Sequence, residues 1–168
     1  MHLFFALFLL ISSPFWPFDR EVLPGDSLVI VNKHTNKLAW VNEGKVQFVV
    51  QVATGKTNEL TPEGLFTVKV KAENPYYRKA NIPGGDPQNP LGSRWIGIDA
   101  LGTDGRIYGM HGTNDPSSIG KYISEGCIRL PRNQLEILYT QILIGSKVLI
   151  VNSDNSFESL AYEIGIII

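Results

Sequence analysis

A histidine and a cysteine, each beside glycine, are the residues of this sequence best suited to chemistry. His111 lies in the segment YGMHGT (108–113), and Cys127 follows sixteen residues later in SEGCIR (124–129). A free thiol with a pKa of about 8.5 is mostly protonated at neutral pH, so it needs a base to become a nucleophile. A nearby imidazole can take that proton and hold the thiolate as an ion pair, which is an arrangement used in acyl transfer. The spacing therefore favours a Cys–His pair that forms an acyl intermediate.

The residues around Cys127 can complete such a site. Gly126 permits close approach of a ligand to the backbone, so that the amide of Cys127 and its neighbours can donate to an oxyanion. Arg129 can form a bidentate pair with a substrate carboxylate. In an extended chain, residues two apart face the same side, which puts Arg129 beside Cys127. Each residue also has a structural explanation, as a buried thiol, a hydrogen-bonded core histidine or a surface ion pair.

Short β-strands separated by turns make up most of the chain. Strands are predicted at residues 28–33, 37–41, 45–52, 66–71, 94–99, 106–110 and 147–151. The alternation of apolar and polar residues is clearest in 66–71, and residues 34–36 favour a hairpin turn. Helices are predicted only at 117–123 and 133–144. The pattern indicates a mainly β, single-domain sandwich or barrel with one or two short helices.

A long segment at residues 74–92 holds four prolines and three glycines, which predicts a loop. Loops of this length in a compact domain are usually functional or mobile. We expect it to act as a lid over the site, and a passive surface loop is the alternative.

Composition limits the classes of function. The 168 residues are 43% hydrophobic and 18% charged, which is typical of one globular domain. Fifteen Lys and Arg residues against sixteen Asp and Glu give a net charge of −1, which excludes nucleic-acid binding through bulk positive charge. A single cysteine excludes an internal disulfide.

Three similarities to other motifs do not hold. Gly-Lys-Thr at 55–57 resembles the end of a phosphate-binding loop, but Val50 stands where the first glycine is needed. Residues 24–28 resemble the opening of a LysM repeat, but a strand follows at once. Three histidines and one cysteine are too few for a typical zinc site, and no HExxH motif is present. We therefore expect no catalysis by a metal ion.

The region around His111 and Cys127 resembles the signature of the YkuD-type L,D-transpeptidase domain. That family carries His-Gly-Thr, a spacer and Ser-x-Gly-Cys-(Ile/Val)-Arg, which match residues 111–113 and 124–129. Many members have histidine where Glu125 stands, at a position that varies within the family. The resemblance covers about residues 27–152 and implies the L,D-transpeptidase type of β fold. Further blocks that resemble the family are ATG (53–55), TPEGLF (61–66), NPLGSRWIG (89–97) and GSKV (145–148).

The resemblance implies an enzyme that acts on the stem peptides of peptidoglycan. Cys127 would attack the carbonyl on the L-centre of the third residue, usually meso-diaminopimelate, and expel D-alanine. The acyl group would then pass to an amine on a neighbouring stem. His111 would take the thiol proton, with its ring oriented by the carbonyl of Gly112.

The resemblance also implies how ligands are bound. Carbapenem β-lactams are expected to inhibit the enzyme, and the enzyme is expected to need neither a metal nor a cofactor. Arg129 would hold a substrate carboxylate, and the backbone at Gly126 and Cys127 would stabilise the oxyanion. The substrate-binding positions expected from the motif are Arg129, Gly126, Ser124 and Thr113.

The N-terminus suggests export. Residues 3–11 form an unbroken apolar run that suits a secretory signal and is shorter than the ~20 residues that span a membrane. Aromatic residues and prolines at 14–18 suit a membrane interface. The chain is expected in the cell wall or on the outer face of the cytoplasmic membrane, and a buried N-terminal element is the alternative. The predicted divisions are a signal-like or anchoring segment (1–18), a linker (19–26), the catalytic domain (27–152) and a C-terminal tail (153–168).

Two other functions fit the sequence. An L,D-carboxypeptidase or another cysteine peptidase would use the same pair but deliver the acyl group to water. A non-catalytic wall-binding module would keep the fold alone, but the presence of Cys127, His111 and Arg129 argues against it.

Overall fold

The computed structural model of the protein describes residues 22–168. The predicted segment 1–18 and the start of the predicted linker lie outside the described residues. All seven predicted strands are confirmed to within two residues at each end, and three short strands join them. The strands are β1 (Leu28–Asn32), β2 (Lys37–Asn42), β3 (Lys45–Gln51), β4 (Thr54–Gly55), β5 (Gly64–Glu73), β6 (Arg94–Ile98), β7 (Tyr108–His111), β8 (Tyr122–Ser124), β9 (Ile128–Arg129) and β10 (Lys147–Val151).

Eight of these strands form one sheet in the order β3-β2-β1-β10-β5-β6-β7-β9, and β4 pairs with β8 beside it. The first long strand, β1, runs parallel to the last, β10, while β7 and β9 form a second parallel pair at one end. Buried side chains from both ends of this order share one hydrophobic core, so the sheet curls around it. The prediction of a mainly β fold is confirmed.

Strand β1 is apolar at four successive positions because both of its faces are covered. Val29 and Val31 belong to the main core, which lies between the curled sheet and the first α-helix. Leu28 and Ile30 point the other way, into a second core that includes Leu160. Alternate residues of a strand face opposite sides, so a strand buried on both sides has no polar stripe.

The two α-helices close these cores. Helix α1 (Arg132–Gln141) buries Leu135 and Leu138 against the main core, and it ends earlier than the predicted residue 144. Helix α2 (Phe157–Glu163) lies within the predicted C-terminal tail, so this part of the chain is packed structure and not a tail. Among residues 22–168, no helix combines the length and apolar character needed to cross a membrane.

The prediction of a helix at 117–123 is wrong. A single 3₁₀ turn (Pro116–Ser118) is followed by Gly120 with a φ of 84° and then by strand β8. The turn is capped by Asp115, whose carboxylate accepts from the Ser117 N–H at 3.1 Å. The left-handed glycine ends the helical path after one turn.

The predicted loop at 74–92 is confirmed, with one 3₁₀ turn (Arg78–Ala80) inside it. Its ends are held together by the buried side chain of Asn89, whose Nδ2 donates to the carbonyls of Pro75 at 2.8 Å and Pro83 at 3.0 Å. The loop is therefore braced from within, although it contains no long element.

Candidate active site

Strands β7 and β9 position the three predicted site residues. In their parallel register Met110 pairs with Ile128, and His111 pairs with Arg129. Paired residues on neighbouring strands face the same side, and Cys127 lies two residues before Arg129 on that side. Met110 and Ile128 point the opposite way into the core. The sheet thus presents His111, Cys127 and Arg129 together on one face.

These three side chains line a cleft of about 410 Å³. The opposite wall is formed by the 74–92 loop, through residues 75–79, 90 and 91. This is the place expected of a lid, and its movement stays a prediction. Apolar and aromatic side chains such as Tyr76, Tyr77 and Ile107 share the lining with the cations Arg78 and Lys79.

The imidazole of His111 is held in one tautomer. Its Nδ1 lies 2.7 Å from the Gly112 carbonyl oxygen. A carbonyl can only accept, so Nδ1 carries the proton and Nε2 is left as the acceptor, as a general base requires. The indole of Trp95 stacks on the ring, with centroids 5.6 Å apart, and is itself anchored by its Nε1 to the Gly105 carbonyl at 2.8 Å.

Burial decides the charge of this histidine. The side chain is 5% exposed, and burial lowers its pKa from 6.5 to about 4. The hydrogen bond with Gly112 acts in the opposite direction, and the positive charge of Arg129 lowers the pKa further. His111 is therefore neutral at pH 7.

Burial also raises the pKa of the half-buried Cys127 thiol, although hydrogen bonding from the Gly109 backbone and nearby positive charges act the other way. The Sγ lies 3.4 Å from the Ile107 carbonyl oxygen, an acceptor for a protonated thiol. In the substrate-free site, burial thus favours a neutral thiol and a neutral imidazole over the expected thiolate–imidazolium ion pair.

The turn before the cysteine is built by Ser124. Its Oγ accepts from the Gly126 N–H at 3.0 Å and donates to the Cys127 carbonyl at 2.6 Å. The Gly126 N–H is thus engaged within the turn, in contrast to the expectation that it would serve an oxyanion. The Cys127 N–H forms no hydrogen bond within residues 22–168 and is the donor left for that role.

Arg129 is half-buried at the cleft, and its backbone pairs with Ala53 at 2.9 and 3.0 Å. Within the described part of the chain, its guanidinium forms neither an ion pair nor a hydrogen bond, so it remains available for an anionic ligand. Glu125, by contrast, pairs with Lys56 at 2.7 Å on the surface.

Thr113 is not brought into this cleft. Its hydroxyl donates to the Asp115 carbonyl at 3.1 Å and accepts from the Asp115 N–H at 2.9 Å, which shapes the chain after β7. It lines a separate cleft of about 330 Å³ on the other side of the 74–92 loop. Gly112 lines this second cleft as well, and it packs so closely on the loop that an added Cβ would lie 3.1 Å from the Gly92 Cα.

Two residues with a place at the site were not singled out from the sequence. Trp95 covers the imidazole, and Thr61 donates to the Gly126 carbonyl at 3.1 Å. Both stand in blocks that resemble the family, but nothing in their residue type points to these contacts. Among residues 22–168, no group of three or more His, Cys, Asp or Glu side chains could hold a metal ion.

A comparison with known protein families accounts for the placement of Cys127, His111 and Arg129 on one sheet face. The sequence model of the YkuD L,D-transpeptidase catalytic domain matches residues 26–150. The chain belongs to the YkuD family of L,D-transpeptidase domains. One member, the Putative L,D-transpeptidase YqjB of Bacillus subtilis (strain 168), is 56% identical over 163 residues, covering 97% of this chain and 93% of that protein. The Putative L,D-transpeptidase YkuD of the same strain is 31% identical over 132 residues, 79% of this chain and 69% of that protein.

Solved structures of L,D-transpeptidases share the fold. The Ldtfm-avibactam carbamoyl enzyme superimposes with a TM-score of 0.61 at 26% identity, covering 76% of this chain and 49% of that chain. L,D-transpeptidase 3 from Mycobacterium tuberculosis, in complex with a faropenem-derived adduct, gives a TM-score of 0.60 at 20% identity, covering 76% and 61%. This chain thus spans about half to three fifths of the length of these two solved chains.

Proposed function

We propose that the protein is an exported L,D-transpeptidase that cross-links peptidoglycan stem peptides through a thioester on Cys127. The observation that carries this proposal is the placement of Cys127, His111 and Arg129 on one face of one cleft. A nucleophile, a base with its acceptor nitrogen free and a cation for a carboxylate are the three parts that acyl transfer from a peptide acid requires.

The first half-reaction forms the acyl-enzyme. Cys127 Sγ attacks the carbonyl on the L-centre of the third stem residue, while its proton moves to Nε2 of His111. The Cys127 N–H donates to the oxyanion that forms. The intermediate then collapses, the bond to the terminal D-alanine breaks, and His111 returns the proton to the leaving amine.

The second half-reaction transfers the acyl group. An amine on a neighbouring stem attacks the thioester and gives a proton to Nε2 of His111. Collapse of this intermediate forms the new amide, and the Cys127 sulfur leaves and regains the proton. The imidazole starts and ends each half-reaction neutral, so the base is recovered at every turnover.

The charges of the cleft suit an anionic donor. Arg129 would pair with the free carboxylate of meso-diaminopimelate, since a guanidinium matches a carboxylate with two parallel hydrogen bonds. Lys79 on the 74–92 loop adds a second cation whose field reaches the thiol and the Glu125 carboxylate. Export is proposed because the substrate lies outside the cytoplasm and residues 3–11 have the character of a signal or anchor.

β-Lactams are proposed as covalent ligands of the same thiol. Two of the structural neighbours are an avibactam carbamoyl enzyme and a faropenem-derived adduct. A carbapenem carbonyl in the cleft would meet the same nucleophile and the same oxyanion donor as a stem peptide. Opening of its strained ring would leave an acyl group on Cys127 Sγ.

The decisive experiment is intact-mass spectrometry of the full chain, incubated separately with a carbapenem and with a disaccharide-tetrapeptide. The expected results are one carbapenem adduct per chain, mapped to Cys127, and both D-alanine and cross-linked dimers from the tetrapeptide. The Cys127→Ala variant, with its fold checked by circular dichroism, is the control and should give neither. Release of D-alanine without dimers would favour the carboxypeptidase. If the folded protein with a reduced thiol gave neither adduct nor product, the proposal that it is an enzyme would be contradicted.

A further inference from the structure

The buried hydroxyl of Thr61 connects two backbone groups at the nucleophile. Its Oγ1 accepts from the Gly55 N–H at 2.8 Å and donates to the Gly126 carbonyl at 3.1 Å. Thr61 is fully buried, and its hydroxyl is the side-chain group that fixes this carbonyl. A hydroxyl has one proton to donate, so that proton is committed to Gly126.

Fixing the Gly126 carbonyl also fixes the next N–H. In a planar trans peptide, the carbonyl of one residue and the N–H of the next point in opposite directions. The N–H opposite the Gly126 carbonyl belongs to Cys127, and within residues 22–168 it has no hydrogen-bond partner. The orientation of the carbonyl toward Thr61 therefore turns the Cys127 N–H away from the 60–61 backbone.

The backbone that carries Thr61 is itself held in place. Lys33, which is 4% exposed, donates from Nζ to the carbonyls of Asn58 at 2.6 Å and Thr61 at 2.9 Å, and pairs with Glu63 at 2.9 Å. This backbone lies directly against the nucleophile turn, since a Cβ added to Gly126 would lie 2.3 Å from the Leu60 carbonyl oxygen. Burial of a lysine ammonium costs desolvation free energy, which its three oxygen partners offset. These contacts hold the segment behind the site in place.

We propose that Thr61 is a positioning residue for acyl transfer: its hydroxyl orients the Gly126–Cys127 peptide so that the Cys127 N–H can stabilise the oxyanion. The proposal deepens the proposed function and rests on it. Thr61 touches neither substrate nor thiol, and it acts through the peptide bond alone. Lys33 supports it by holding the Thr61 backbone.

The test compares two reactions of the same thiol. Acylation by p-nitrophenyl acetate passes through an oxyanion, whereas alkylation by iodoacetamide displaces iodide without one. Both reactions need the same deprotonated sulfur, so the ratio of their rates cancels any change in the ionisation or exposure of Cys127. Loss of a whole oxyanion donor costs about 10²–10³ in rate, and we expect misorientation in Thr61→Val to lower the acylation-to-alkylation ratio about tenfold or more.

Rescue and a matched control separate positioning from folding. Thr61→Ser keeps the hydroxyl and should restore the ratio to within about threefold of the native value, since its donor can still reach Gly126. Thr54→Val removes another buried threonine hydroxyl, one that donates to the Asn36 side chain, and should leave the ratio unchanged. If Thr61→Val does not fold, Thr61→Ala carries the same prediction, with its thermal unfolding measured alongside.

An unchanged ratio in a folded Thr61→Val or Thr61→Ala variant would overturn the proposal, as would an equal fall of both rates. The small acyl donor needs no recognition of a stem peptide. Failure of stem-peptide turnover by the native protein would therefore count against the proposed function and leave the result on Thr61 standing.

Discussion

The indole of Trp95 lies flat against the imidazole of His111, with ring centroids 5.6 Å apart and ring planes 17° apart. The two residues are register partners on β6 and β7, so the sheet itself aligns them. Gly109 makes room for the indole, since a Cβ there would lie 2.8 Å from the Trp95 ring. The base is therefore kept neutral by an aromatic cover, and its hydrogen-bond partner is the Gly112 carbonyl.

Replacing Trp95 with leucine should raise the pKa of His111. The smaller side chain admits water to the imidazole, and desolvation is the main cause of its low pKa. In a plot of the carbapenem acylation rate against pH, we expect the acid limb to move from about pH 4 upward by about one pH unit. Trp95→Phe keeps an aromatic cover and should move it less. Acylation rates from pH 3 to 8 (approximately) would measure both variants, and a limb that stays in place in Trp95→Leu would contradict this explanation.

The same histidine should make stability depend on pH. Its folded pKa of about 4 lies below the unfolded value of 6.5, so the unfolded chain binds the extra proton between these values. The contribution of His111 to the free energy of unfolding is therefore fully present above pH 6.5. It is lost as the pH falls to 4, by about 3 kcal/mol in total.

Urea unfolding of the native chain and His111→Gln at pH 7 and pH 4 (approximately) would measure this contribution. The native chain should lose about 3 kcal/mol more than the variant over that interval. His34→Gln is the matched control, because His34 is an exposed residue of the turn after β1; it should behave like the native chain. Equal losses in the native chain and His111→Gln would disprove the assignment.

Much of the fold followed from local patterns. The strands were predictable because turns rich in glycine, asparagine and proline separate runs of β-branched residues, as in β1 and β10. Strand β8 was not, because Tyr122 and Ile123 are largely exposed and the strand is held by one short parallel neighbour, β4. Helix α2 was missed because its buried face belongs to a second core that only the folded sheet creates.

The residue types of the candidate site were predictable from the sequence, but their ionisation and hydrogen bonding were not. Cys127 and His111 are of rare residue types in this sequence and lie next to glycine, and Arg129 stands two residues after Cys127. Their ionisation depends on burial by residues distant along the chain, of which Trp95 is the clearest case. The engagement of the Gly126 N–H by Ser124 likewise depends on a side-chain rotamer that spacing does not specify.

Substitution of Gly126 by alanine should be strongly destabilising. Its φ of 123° is unfavourable for a side chain, and the new Cβ would lie 2.3 Å from the Leu60 carbonyl oxygen. We expect the free energy of unfolding to fall by about 3 kcal/mol or more. Gly145→Ala is the matched control, since Gly145 has a φ of 96° and nothing within 4 Å of an added Cβ. Its cost should be about 1–2 kcal/mol, and equal urea midpoints for the two variants would refute the steric contribution.

Arg129→Lys should impair the use of a tetrapeptide donor while leaving the thiol reactive. Lysine keeps the positive charge but lacks the planar pair of donors that matches a carboxylate. Loss of one charged hydrogen bond predicts a fall in kcat/KM of roughly 10- to 100-fold, with the alkylation rate by iodoacetamide within about twofold. Arg132→Lys, on the exposed start of α1, is the comparison and should retain turnover. Full turnover by Arg129→Lys would remove the guanidinium from substrate binding.

The second core beneath α2 sets a minimum length for a soluble form of this domain. The family match ends at residue 150, whereas Leu160, Ala161 and Ile166 cover the outer face of Leu28 and Ile30. A chain cut at that boundary would keep all three residues of the cleft and still uncover an apolar strip along the middle of the sheet. Exposed strips of this kind promote self-association. The last eighteen residues therefore cover this apolar strip and protect the sheet from self-association.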